Sequence, residues 1–238
     1  MTNVLLFALI PAMSVVVGGI AAAFKTPSAA IRSGTQHIAA GVLFAALATE
    51  LLPDVMHRRL PLVTAAGFAL GVVAMLLLKA LTRKLESGAQ SNDPTIPLSM
   101  LLTMAIDIAL DGLLIGIGFA GSSRQGVLLT IALTLEVLFL GVSAAAALTT
   151  VKAGRATIVG VTSGFAALLL IGAGAGSYFL ADVSPVTLDV VMSFGVAALL
   201  YLVTEELLVE AHEVDETPVL TSMFFLGFLA LMLIEMVI

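Results

Sequence analysis

The sequence predicts an all-α fold, a membrane bundle of eight transmembrane helices with inverted repeats. Three observations predict it. Only 11% of the 238 residues are charged and 60% are hydrophobic, with a mean hydropathy of +1.17. A soluble domain carries about 25% charge, so a water-soluble globule of this size could not cover its surface. The apolar residues fall into eight runs, at 4–24, 35–53, 60–81, 97–120, 126–149, 156–181, 185–211 and 218–237. Each is near the roughly 20 residues that span a bilayer as a helix. Finally, seven of the eight prolines lie at or near the ends of these runs, where a helix can stop or start.

Span 1 has no basic residue before it and is too long for a signal-peptide core, so it is read as a spanning helix with Pro11 inside it. Span 2 ends at Pro53 and carries Glu50. Span 3 starts beside Pro61 and runs into the polar linker Lys84–Asp93. Span 4 follows Pro94 and Pro97 and carries Asp107 and Asp111, four apart and therefore on one helical face. Span 5 holds Glu136 near its middle. Span 6 contains Gly172-Ala-Gly174-Ala-Gly176, which suits close helix packing better than phosphate binding because it lies inside an apolar run. Span 7 opens at Pro185 and ends in Glu205, Glu206, Glu210 and His212. Span 8 runs from Pro218 to an acid near its end, Glu235. The whole chain, 1–238, reads as one membrane domain. Strands are not expected, because the runs are long and do not alternate.

The basic residues set the orientation. Lys25 and Arg32, then Lys79, Arg83 and Lys84, then Lys152 and Arg155 lie in or beside loops 1, 3 and 5, whereas Arg58, Arg59 and Arg124 lie on the other side. Seven against three places the odd loops in the cytoplasm and both termini outside, in a multi-pass cell membrane protein. Two weak repeats run through the chain. Glu50-Leu-Leu-Pro-Asp54 resembles Glu206-Leu-Leu-Val-Glu210, and Asp107-x-x-x-Asp111-Gly112 resembles Glu136-x-x-x-Leu140-Gly141. Spans 2 and 7 run in opposite directions, as do 4 and 5, the arrangement expected of an inverted-repeat transporter with a midplane site.

An ionisable group at bilayer depth costs about 2.5–3.5 kcal/mol on insertion scales, and no Lys or Arg is expected deep enough to pair with these acids. Asp107, Asp111 and Glu136 together call for a counter-charge, which a divalent cation supplies because carboxylate oxygens are hard anionic ligands. Proton transfer through the same acids and a purely structural role are the competing readings. Met100 and Met104 extend the span 4 stripe and could offer soft contacts, or simply fill gaps. Glu50 at the external end and Glu205 and Glu206 toward the cytoplasm are expected to stage ions. His37, His57 and Glu235 are expected at solvated boundaries. The chain has no cysteine, which removes disulfides and thiolate chemistry. No catalytic motif and no basic stripe appears, so neither an enzyme nor a nucleic-acid partner is expected. Small residues in the spans leave room for a homodimer without distinguishing it from a monomer.

Across its full length the chain resembles the ZIP (Zrt/Irt-like) family of metal transporters, in its bacterial GufA-like branch. Span 2 from His37 to Pro53, span 7 from Phe194 to His212, and Leu226-Gly-Phe228 with Glu235 carry the resemblance. It departs at the metal motifs. The family's fourth-helix His-Asn-x-Pro-Glu/Asp-Gly reads Asp107-Ile-Ala-Leu-Asp111-Gly112, and its fifth-helix His/Gln-Asn-x-Pro-Glu-Gly reads Glu136-Val-Leu-Phe-Leu140-Gly141. The sixth-helix Ser-Gly-x-x-Glu-Pro reads Ser163-Gly-Phe-Ala-Ala167-Leu168. Ile108, Val137, Leu140 and Ala167 thus bring no ligand atom. The resemblance implies a divalent metal ion as substrate, no prosthetic group, and inward transport by alternating access with spans 1, 4, 5 and 6 moving against 2, 3, 7 and 8. It carries over Asp107, Asp111 and Glu136 only, with a preference moved from zinc toward manganese, iron(II) or magnesium. With Leu110 and Phe139 in place of the motif prolines, spans 4 and 5 should be regular helices. The alternative is a degenerate member of that family: a sensor, a scaffold or a proton-coupled carrier of another solute.

Overall fold

The computed structural model describes residues 2–25, 27–88, 98–180, 183–215 and 217–237. Pro94, Pro97, Glu216 and positions 89–93 of the polar linker lie outside them. Among the described residues there is no strand, and eight helices are long and apolar enough to cross a membrane. They are span 1 (Asn3–Phe24), span 2 (Ala29–Arg58), span 3 (Pro61–Lys84), span 4 (Met100–Gly121), span 5 (Ser123–Thr150), span 6 (Arg155–Phe179), span 7 (Pro185–Ala211) and span 8 (Pro218–Glu235).

Local chemistry sets the starts. The hydroxyls of Ser28, Ser122, Ser184 and Thr217 each accept a hydrogen bond from the backbone N–H three residues on, capping spans 2, 5, 7 and 8. Pro11 stays inside span 1. The Ser14 hydroxyl lies 2.8 Å from the Pro11 carbonyl and 3.0 Å from that of Thr134 in span 5, tying span 1 to its neighbour where the proline thins the helix ladder.

Span 2 departs from expectation. It does not stop at Pro53 but runs to Arg58, where Arg59 turns left-handed at φ 54°. The reason is a π-turn over Leu47–Leu51, closed by the N–H of Leu52 on the carbonyl of Leu47. One extra residue in the turn shifts the ladder just before a proline that has no N–H to give. Span 7 has a matching π-turn over Leu202–Leu207, closed by Leu208 on Val203. The two π-turns fall on the Glu50 and Glu206 repeats, so the sequence likeness marks a shared backbone feature.

The packing follows the inverted repeat. Span 1 lies along 5 as span 6 lies along 4; span 2 lies along 8 as span 7 lies along 3. Spans 1, 4, 5 and 6 form one tightly packed group, and spans 2, 3, 7 and 8 the other. Glycines allow the equivalent close approaches. A Cβ at Gly112 would run into the Leu169 carbonyl of span 6, and one at Gly141 into the Val15 carbonyl of span 1. In the span 6 glycine run, Gly172 and Gly176 meet the backbone of span 4, as expected, whereas Gly174 meets only a Leu5 side chain. Spans 5 and 7 bury 61% of their core windows but spans 3 and 8 only 17%. The chemistry of spans 4, 5 and 7 therefore sits at the centre, with 3 and 8 flanking it.

Candidate cation site

At the end of the bundle that bears loops 3 and 7, a cavity of about 370 Å³ opens between the two helix groups. Five carboxylates line it: Asp107 from span 4, Glu136 from span 5, and Glu205, Glu206 and Glu210 from span 7. The first two belong to one helix group and the last three to the other. Lys79 and Arg83 of span 3, Thr82, Thr103 and Tyr201 complete its polar wall. Five acids against two bases give the cavity an acidic excess, which suits a cation better than an anion.

Spans 4 and 5 are uninterrupted α-helices over Leu98–Gly121 and Ser123–Thr150, as the missing prolines predict. On span 4 the spacing of four places Thr103 and Asp107 on the cavity face and carries Asp111 one turn deeper. Asp111 is 1% exposed and neither carboxylate oxygen has a hydrogen-bond partner. It shares with Asp107 a narrow cleft lined otherwise by apolar groups, among them Met75, Leu110 and Leu114. Glu136 is 2% exposed, and its Oε2 is likewise buried without a partner.

Asp107, Glu136, Glu205 and Glu206 therefore share one cavity, with Asp111 just beneath it. Glu50 does not reach it. Its Oε1 lies 2.9 Å from Nε of Arg124 at the opposite end of the bundle, because span 2 runs the other way from span 7. Among the described residues no ion pair involves Asp107, Asp111 or Glu136, but Glu205 near the end of span 7 has one. Lys79 Nζ lies 3.0 Å from Glu205 Oε2 and 5.5 Å from the centre of the Tyr201 ring. Its long stem carries the ammonium from within span 3 to the cavity wall.

Met100 and Met104 do not line the cavity: Met104 is buried in the apolar core and Met100 is on the surface. Thr103 holds the cavity-facing place instead. His37 is not solvated, because span 2 begins at Ala29 and encloses it. It is 3% exposed, with Nδ1 2.9 Å from the Ser33 carbonyl and its ring set edge-on to His212 at 5.2 Å. His57 is exposed, as expected. Glu210, at the end of span 7, lines the cavity with Glu205 and Glu206, and the Gln36 amide of span 2 donates to its Oε2. The Glu210 position was signalled by its one-turn spacing from Glu206.

Among the described residues, no three His, Asp or Glu side chains stand close enough together to hold a metal ion between them. The site is a lined vestibule with carboxylate oxygens on both walls, spaced more widely than a closed ligand set. Fold and site together define a multi-pass helical membrane protein with a carboxylate-lined cavity. The chain matches no family model and no curated protein.

Proposed function

We propose that the protein is a secondary transporter that carries a divalent cation across the membrane through the cavity between its two helix groups. The observation that carries this reading is the cavity itself: it lies at the loop 3 and loop 7 end of the bundle and is lined by Asp107, Glu136, Glu205, Glu206 and Glu210. By the basic-loop rule that end faces the cytoplasm, and the resemblance to ZIP transporters makes the direction inward.

Asp107 and Glu136, from one helix group, and Glu206, from the other, face the ion across the cavity and reach it in part through its own water shell. Asp111 sits beneath them as the deepest acceptor. Glu205, neutralised by Lys79, and Glu210 at the rim shape the approach. A site of carboxylates and water without imidazole favours harder ions, so manganese, iron(II) or magnesium come before zinc. Ligation requires unprotonated carboxylates, so uptake falls in acid. The absence of a closed three-ligand group fits a partly hydrated ion.

A second reading rests on Asp111, whose buried oxygens have no partner. A carboxylate held there needs a cation or a proton to balance it, so the same acids could relay protons for another solute. Purified protein in liposomes separates the two. The transport reading expects saturable uptake of manganese or iron(II) that is lost in Asp107→Ala and Asp111→Ala. Unchanged uptake in both variants overturns the site, and proton flux without uptake of any metal supports the relay.

A further inference from the structure

The end of the bundle opposite the cavity carries a set of charges that the transport reading leaves unused. Arg124 begins span 5, and its guanidinium reaches across to the other helix group. Nε lies 2.9 Å from Glu50 Oε1 on span 2, and one terminal nitrogen lies 3.1 Å from the Glu235 carbonyl and 3.5 Å from its Oε1 on span 8. The next residue adds a second tie. The Gln125 amide, 5% exposed, donates to the Glu50 backbone carbonyl at 3.3 Å. Glu50 is there because the π-turn over Leu47–Leu51 aims it, and the matching turn in span 7 aims Glu206 into the cavity.

The two acid side chains are only 10% and 16% exposed, whereas Arg124 is 49% exposed. The bond to Glu50 is charge-assisted and falls on a largely desolvated carboxylate, which makes it about twice as strong as a neutral hydrogen bond, and the Glu235 carbonyl anchors the other arm of the guanidinium. Below it the span 5 face is apolar and tight, with Leu128 fully buried one turn from Arg124 and Leu47 one turn back from Glu50.

We propose that Arg124 is an ionic latch. It pins span 5 to spans 2 and 8, and so holds this end of the pathway shut while the other end is open. Breaking the latch shifts the protein toward a form in which the seam between the groups opens at the Arg124 end. The inference builds on the transport reading, but its test does not use transport.

The chain has no native cysteine, so Leu128→Cys in the otherwise unchanged protein gives a single reporter. Its reaction rate with a maleimide, in nanodiscs that expose both faces, reads how often the seam opens. With Arg124 in place the rate is slow. Arg124→Gln should raise it about tenfold or more, the scale of a charge-assisted hydrogen bond. Arg124→Lys should give an intermediate rate. The exchanged pair Arg124→Glu with Glu50→Arg should move back toward slow labelling, which a general loss of packing would not do. Raising the salt concentration should speed the parent reporter and leave the Arg124→Gln reporter unmoved. An unchanged rate in Arg124→Gln overturns the latch. A faster rate in a protein that moves no ion keeps the latch and discards the transport reading.

Discussion

The two ends of the bundle are built from the same elements and differ in one respect. At each end a π-turn in a central helix, span 2 or span 7, aims a glutamate toward the boundary between the helix groups. At the loop 3 end Glu206 meets Asp107 and Glu136 across an open cavity, and the nearest base, Lys79, turns to Glu205. At the other end Glu50 meets Arg124, which ties span 5 to span 2 across the boundary. The difference teaches that the state of each end follows from which charges face its π-turn acid. Like charges leave room for an outside cation, whereas an arginine supplied by the protein fills that place.

The largest effects should come from the unpartnered acids. Asp111→Asn replaces a buried carboxyl whose oxygens have no hydrogen bond. Uptake should fall about a hundredfold or more, beyond the cost of losing a metal's outer support. Without metal the same variant should be as stable as the parent or up to about 3 kcal/mol more stable, since the amide needs neither the proton nor the cation that a buried carboxyl requires. Thermal unfolding of the purified protein checks the sign, and a large loss of stability would mean that Asp111 has a structural partner.

Next come the close approaches that hold each helix group together. Gly112→Ala and Gly141→Ala each drive a Cβ into a backbone carbonyl and should cost about 1–3 kcal/mol by overpacking. Gly160 and Gly164 on span 6 meet nothing within 4 Å, so Ala there should be neutral or should stabilise by up to about 1 kcal/mol. If all four substitutions unfold alike, the assigned packing of spans 1, 4, 5 and 6 is wrong.

A smaller change should follow at Lys79. Its partner Glu205 is 51% exposed, so Lys79→Met should alter stability by less than about 1 kcal/mol. It should nonetheless tighten apparent manganese affinity several-fold, since it removes one of the two bases on the cavity wall. An affinity that weakens instead would show that Lys79 positions Glu205 for the ion.

How far the sequence carried the reading depends on which property each feature needs. All eight spans were legible because a membrane helix is written in composition over some twenty residues. The Asp107, Asp111 and Glu136 grouping was legible from a spacing of four in one span and a matching repeat in another. The real end of span 2 was not, because Pro53 reads as a stop and nothing local announces that a π-turn absorbs it. The partners were not legible either. Glu50 and Glu206 sit in near-identical strings, yet one faces Arg124 and the other faces acids, a choice set by contacts between helices far apart in sequence. The partner of Lys79 was hidden for the same reason, since Tyr201 and Glu205 lie on span 7, far along the chain.

The most direct test of the contrast between the ends compares two single-cysteine reporters in otherwise unchanged protein, Thr103→Cys on the cavity wall and Leu128→Cys under Arg124. Maleimide should react quickly with the first and slowly with the second. Manganese(II) should protect the first, and that protection should vanish when Glu136→Gln is added. Equal rates at the two positions, or protection that survives Glu136→Gln, would contradict an open, carboxylate-bound cation path at one end and a shut one at the other.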